Sequence, residues 1–466
     1  MSKPATKKII RFNAFQMNTV GHQSPGLWTH PRDNSHRYTD PEHWVSLARL
    51  LEAGFFDAIF LADVLGVYDV YQGSADAALR HGVQVPLNDP LALVPLMAHA
   101  TTHLGFGVTC ALTYEHPYPF ARRISTLDHL SGGRIGWNIV TGYLDSAARN
   151  MGLDQQLSRD ERYDLADEYL EVVYKLWEKS WDDDAVLNDK ARGIYADPAR
   201  VHPINHHGRH YDVFGIHLCE PSPQRTPLLY QAGNSPRGTA FAVRHAECTF
   251  VSGPSKVVVK RYVDDTRAAA RSTGRDADAL LIYAQALIVT GATEAQARAK
   301  FEEYSRHIDI EAALTLLSGW TGVDFSGCAL DATVDYIDSN AGRSALASFS
   351  SSDPTRQWTV REVAQFISIG GRGPVLIGDP QQIADQLEAW MDETGIDGFN
   401  LAYAIAHESM EDVVAFIVPE LQRRGRYRTA YTDGTLRHQL FGAGPCLHPR
   451  HAGRLVRIDA PLQSAA

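Results

Sequence analysis

Amide, hydroxyl and carboxylate side chains recur where short apolar runs of this chain end. Asp63 follows the run 56–62, and Thr109 and Cys110 end the run that begins at 104. Asn138, Thr141 and Tyr143 lie at the end of 134–140, and Gly233 and Ser235 follow 226–230. The richest of these ends is Gln231-Ala232-Gly233-Asn234-Ser235-Pro236-Arg237-Gly238, set between an apolar run and a helix-like segment from 239. Glycine lets backbone come close to a ligand, and the free N–H groups of a helix start point at negative charge. Pro236 suits a first helical turn because it has no N–H to leave unpaired. An ordinary strand-to-helix turn capped by Ser235 uses the same residue types. Asp63 can equally be a helix cap or ion-pair partner, and Asn138 a turn residue.

Their chemistry depends on what places them. Strand-like runs alternate with helical patterns, as in βαβ units. Strands are expected at 9–16, 56–62, 104–109, 134–140, 227–231, 248–251, 280–290 and 399–403. Helices are expected at 41–53, 90–103, 119–130, 160–177, 255–272 and 409–424, with others opening near 239 and 293. Asp40 and Pro41 start the first helix and Gly54 ends it. Eight such units predict an α/β fold, a (β/α)8 TIM barrel, with a doubly wound open sheet as the alternative. A barrel gathers chemistry at the C-terminal ends of its strands. The barrel domain is expected over 8–428, with long insertions between barrel units at about 178–223 and 305–378 and a C-terminal extension at 429–466. The second insertion reads as a candidate lid, since long loops in compact domains are commonly lids or binding loops. The extension reads as a segment used in assembly.

Grouped at one barrel end, the acidic and amide residues suit a heterocycle with several donors and acceptors. The Gly-Ser helix start suits its phosphate, and flavin mononucleotide carries both. The net charge of −11 argues against nucleic acid as a partner, which needs a basic face. No apolar run approaches the ~20 residues of a membrane-spanning helix, and the segment after the basic start is too short and polar for a signal peptide. Five scattered cysteines without a CxxC pair suit a reducing cytoplasm and no zinc site. His206, His207 and His210 read as a surface cluster rather than a metal site, and His116 and His129 as structural.

Eight motifs then carry a resemblance. They are Asn13-Ala14-Phe15-Gln16-Met17-Asn18, Phe60-Leu61-Ala62-Asp63-Val64, Tyr114-Glu115-His116-Pro117-Tyr118, the stretch 125–135 (STLDHLSGGRI), Trp137-Asn138-Ile139-Val140-Thr141, Asp160-Glu161-Arg162-Tyr163, 231–235 (QAGNS) and 395–400 (GIDGFN). In this order the chain resembles the flavin-dependent monooxygenases of the bacterial luciferase superfamily, in the nitrilotriacetate monooxygenase component A branch. The pattern is most similar to that of the long-chain alkane monooxygenases.

The resemblance implies a two-component enzyme that takes reduced FMN from a separate NAD(P)H:flavin reductase. It oxygenates an organic substrate with O2 through a flavin C4a-(hydro)peroxide. Asp63 and Thr109 would lie near the isoalloxazine ring, and Asn138 would bond its polar edge. Arg159, Tyr163, Gly233, Asn234 and Ser235 would hold the phosphate. His22 and Tyr143 are candidates to hydrogen-bond the peroxide or the substrate, and Thr19 and Tyr68 to line the substrate pocket. Relatives often carry His at position 159, and alkane-type relatives carry Cys at 19 and can carry His at 143. The two changes at 19 and 143 bear on the substrate more than on the flavin. The expected substrate is apolar, such as a long-chain alkane. A sulfone or aminopolycarboxylate, or an F420-dependent oxidoreductase on the same barrel, are the alternatives. A homodimer or homotetramer is usual for the family.

Overall fold

The computed structural model describes residues 8–233, 235–334, 346–350, 352 and 356–460. Eight parallel strands alternate with helices and close into a barrel. They are β1 (Arg11–Met17), β2 (Ala58–Ala62), β3 (Gly105–Ala111), β4 (Ile135–Val140), β5 (Leu228–Gln231), β6 (Cys248–Val251), β7 (Leu281–Thr290) and β8 (Gly398–Ala402). Each strand pairs with the next in sequence, and β8 pairs with β1 (Arg11 opposite Gly398) to complete the circle. All eight expected strands are present, each shifted by no more than about two residues, an ordinary boundary error. Buried on both faces, such strands read as nearly continuous apolar runs.

The barrel interior is filled by rings. Tyr230, Phe60, Phe250 and Tyr283 form one cluster with Leu228, Cys248 and Leu281. Two small residues make room for them. A Cβ at Gly136 would stand 2.6 Å from the Tyr230 ring, and one at Gly107 2.9 Å from the Phe60 ring. Leu436 and Leu440, on the helix Leu436–Phe441, join the same cluster from below. This helix of the C-terminal extension is therefore packed against the barrel's own lower end. Arg437 on that helix donates to both carboxylate oxygens of Glu247, at 2.7 and 2.9 Å, and to the carbonyls of Thr226 and Pro227.

Several helices follow the expected signals. Asp40 accepts from Glu42 N ahead of Pro41–Ala53, and Gly54 ends that helix. The expected helix 90–103 is instead a short turn, Pro90–Leu93, followed by Val94–His99. Pro95 supplies the break, since it has no N–H for the helical ladder. The insertion after the fourth unit contains two small hairpins, Val186–Asp189 with Ile194–Ala196 and His206–His207 with Asp212–Val213. His206 is not a surface residue: it is buried, 3.0 Å from Lys175 Nζ and 3.4 Å from Glu168. His116 caps the helix Pro117–Ser131 by accepting from Tyr118 N.

The second insertion contains more regular structure than a loop reading expects. Helices Ile310–Thr321 and Val360–Ile367 share a small core with Leu314, Leu317, Phe349 and Trp358. A short strand, Val375–Gly378, extends the sheet along the last residues of β7. Ile310–Thr321 is apolar almost all round, so it shows no stripe that marks a surface helix. Among the described residues no helix is long and apolar enough to cross a membrane.

Candidate active site

A cavity of about 340 Å³ opens at the C-terminal ends of the barrel strands. Every strand or the loop after it contributes, from Met17 on β1 to Asn400 on β8. His22, Asp63, Tyr68, Thr109, Asn138, Tyr143, Arg159, Tyr163, Gly233 and Ser235 all line it. Thr19 does not. Its hydroxyl donates to Pro86 O at 2.6 Å, so the side chain serves a loop contact. Asn234 lies outside the described residues.

Around β5 the chain forms a cradle. Ser235 caps the helix Pro236–His245, its hydroxyl oxygen accepting from Gly238 N at 3.1 Å. A Cβ at Gly233 would stand 3.0 Å from the Tyr163 hydroxyl, and one at Gly238 2.8 Å from it. Only glycine lets Tyr163 reach this turn. Tyr163 rides on the helix Arg159–Tyr174, which a capping box of Ser158 and Glu161 starts beside the cavity. Burial pushes the Tyr163 phenol up, while the charges of Arg162 and Arg159 pull it back. Two hydroxyls, a guanidinium and the amide end of a helix thus converge, a donor set for a phosphate. Arg237 lies over the Tyr163 ring at 5.4 Å and is paired with Asp164 and Asp167 at 3.2 and 2.8 Å.

Next to the cradle, Asn138 on β4 lies in register with Thr109 on β3. Asn138 Nδ2 donates to Thr109 Oγ1 at 2.9 Å, and its Oδ1 is buried with no partner. A buried acceptor left open costs about 1–3 kcal/mol, so a ligand N–H is the expected partner. Asp63 stands just past β2. Burial, and then the nearby charge of Asp89, raise its carboxyl to about 7. A neighbouring cavity of about 470 Å³ shares Asp63, Thr109 and Tyr114 as lining.

The remaining cluster is aromatic and amide. Tyr68 Oη lies 2.7 Å from Tyr143 Oη and donates to Gln84 Oε1 at 2.9 Å. Gln84 in turn donates to the His22 carbonyl at 3.1 Å. Burial pushes the Tyr143 phenol up to about 12 and raises that of Tyr68 well above its ordinary value, so both are neutral near pH 7. Burial lowers His22 to about 3, so its ring is neutral near pH 7. That ring meets Phe15 edge-on at 4.5 Å. Gly319 lets the helix Ile310–Thr321 press on Tyr68, where any Cβ would collide with the phenol ring.

The structure adds residues that the sequence reading omits: Gln23, Gln84, Arg162, Gln285, Trp320, Arg372 and Asn400. Trp320 and Arg372 come from the second insertion, far in sequence from the strand ends. The glycine-rich run around Arg372 was the one signal for that residue. Among the described residues no group of three His, Cys, Asp or Glu is placed to hold a metal ion.

The sequence pattern of the luciferase-like monooxygenases matches residues 19–398. The chain belongs to this family. Among its relatives, the dimethyl-sulfide monooxygenase of Hyphomicrobium sulfonivorans is 50% identical over 436 residues, covering 94% of this chain and 91% of the relative. The long-chain alkane monooxygenase of Geobacillus thermodenitrificans is 48% identical over 441 residues, covering 94% and 95%. A riboflavin lyase crystallised with a modified FMN and riboflavin superposes with a TM-score of 0.90 at 34% identity, covering 97% of this chain and all of that one. The luciferase-like fold of the chain is therefore that of a monooxygenase, an oxidoreductase, built on a closed parallel barrel.

Proposed function

We propose that this luciferase-like monooxygenase binds reduced FMN in the cavity and oxygenates an organic substrate with an apolar body. One observation carries the reading: a single cavity joins the Gly233–Ser235–Tyr163 cradle to the unpaired Asn138 acceptor and to the Tyr68–Tyr143 pair. Reduced FMN, delivered by a separate reductase, would supply the electrons that let O2 place one oxygen atom in the substrate and release the other as water. The cradle and Arg159 would hold its phosphate, and Asn138 would orient the polar edge of its ring. Phe15, Phe60, Val64, Phe250 and Trp320 keep water out, which strengthens every polar contact inside. Tyr143, kept neutral, holds a proton at its Oη and would donate it to the reacting oxygen by exchanging its bond to Tyr68.

The substrates named for relatives, a sulfide and long alkanes, suit such a lining, and Tyr143 is the lining residue at which this chain departs from the alkane-type pattern. The test is an anaerobic titration with reduced FMN, then turnover with NADH, a flavin reductase and 18O2 on thioethers, alkanes, sulfones and aminopolycarboxylates. The expected result is tight binding and one labelled oxygen in a product. Tight binding with no oxygenation across the panel would overturn the assignment.

A further inference from the structure

Arg372 enters the cavity from above, at the turn between the helix Val360–Ile367 and the strand Val375–Gly378. This turn is built with care. Gly370 and Gly371 have φ of 85° and 68°, left-handed values that suit glycine. Gly370 N donates to Ser24 Oγ at 3.0 Å, and Gly370 O accepts from Gln285 Nε2 at 2.8 Å. A Cβ at Gly371 would collide with the Gln23 amide oxygen, and one at Gly373 with the Gln285 carbonyl. The turn is clamped to the barrel rim, and the side chain it presents lies over the Trp320 ring at 5.4 Å.

What the guanidinium meets there is unusual. Among the described residues, the titratable groups that act on it are the phenols of Tyr68, Tyr143 and Tyr262, with no carboxylate among them. It makes no hydrogen bond or ion pair with a described residue, although its five N–H donors cannot be deprotonated away. Burial pushes its pKa down. A desolvated charge without a partner is costly, and a ring face offsets only part of that cost. Three buried arginines elsewhere find their partners within the chain: Arg437 holds Glu247, Arg267 holds Asp397, and Arg134 spans the carbonyls of Ser131, Leu104, Ala98 and Thr101.

We infer that Arg372 is a specificity-determining residue, and that the substrate oxygenated in this cavity is an organic anion. Its carboxylate or sulfonate pairs with the Arg372 guanidinium and its apolar body lies along Trp320, Phe15 and Phe60. The inference rests on the flavin monooxygenase reading above only for the word oxygenated; the anion site itself is a binding claim. Two fork-like N–H bonds to a planar or tetrahedral oxyanion give both affinity and orientation. The phenol pair of Tyr68 and Tyr143 lies beside it, its protons held at Gln84 and within the pair. Such a site separates acids from the alkanes and neutral thioethers of similar length.

The experiment uses the full-length protein, with and without FMN, and three probes of one chain length: 1-octanesulfonate, octanoate and 1-octanol. Dissociation constants are measured by calorimetry for the wild type, Arg372→Met and Arg372→Lys. The wild type should bind the two anions roughly ten- to a hundredfold more tightly than the alcohol, the range of a charge-assisted hydrogen bond. Arg372→Met should abolish that preference while leaving octanol and FMN affinity within about twofold, and Arg372→Lys should restore part of it. Equal binding of anion and alcohol by the wild type overturns the inference, as does a preference that survives Arg372→Met. If Arg372→Met loses FMN rather than the anion, the guanidinium serves the cofactor and the inference is wrong. Circular dichroism confirms that each variant is folded. If reduced FMN fails to bind the wild type while the anion preference stands, it is the flavin reading that falls.

Discussion

The two ends of the barrel treat polar groups in opposite ways. At the lower end, Asp57, Arg134, Glu247 and Asp397 each stand just before a strand, β2, β4, β6 and β8, and each is buried and paired. Asp57 meets Arg11 and Arg428, Arg134 meets four carbonyls, Glu247 meets Arg437, and Asp397 meets Arg267. At the upper end, Asn138 Oδ1 and His22 Nδ1 are buried without partners, and Asp63 is held where its charge is disfavoured. The lower groups have their partners within the chain, whereas the upper ones are left for a ligand. The same strands thus support a closed end that stabilises and an open end that binds.

Breaking the lower end should cost the most. Arg437→Met leaves Glu247 buried without its cation, and loss of one partner of a buried pair costs about 3–5 kcal/mol. Urea unfolding should show that loss, while the folded fraction still binds FMN as the wild type does. A variant with unchanged stability would remove the distinction between the two ends. Ser235→Asp is the converse. Asp caps a helix as well as Ser does, so the urea midpoint should hold. Negative charge against the phosphate should weaken FMN binding at least tenfold, about 1.4 kcal/mol, as read by flavin fluorescence.

The smallest effect lies in pH. The folded Asp63 carboxyl titrates near 7, above its ordinary value of 3.8. Between about 4 and 7 the folded state therefore holds a proton that the unfolded chain has lost, and this group's contribution to stability declines as pH rises through that window. Asp63→Asn should flatten that part of the stability–pH curve. A slope that is unchanged in the variant would show that Asp63 titrates normally.

The barrel was legible because its signals are local. Apolar runs of four to ten residues, each followed by helical spacing, read directly as β1 to β8. Asp63, Thr109, Asn138 and Ser235 were legible by position, since a strand end fixes where a side chain must point, and Tyr163 only through the motif 160–163. The residues the sequence did not yield reach the cavity by tertiary packing. Trp320 sits on a helix with no polar face, and Arg372 on a turn whose aim depends on Gln23 and Gln285, both distant in the chain. Thr19 failed for the opposite reason. Its place in the sequence suggested the pocket, but a nearby carbonyl at Pro86 claimed its hydroxyl. The tail after 429 read as an extension used in assembly, since Arg, Gly and His carry no periodicity, yet Leu436 and Leu440 are buried with the barrel rings.

That placement of Leu436 and Leu440 bears on how the protein is made. The ring cluster of Phe60, Tyr230 and Phe250 is complete only when a helix that follows all eight strands has docked beneath it. On the ribosome, every barrel strand is synthesised before the residues that seal its lower end. Until they emerge, the aromatic interior is open to water from below, and buried partners such as Glu247 wait for Arg437. Sealing of the lower end thus waits on contacts between residues far apart in the sequence, and such contacts form slowly.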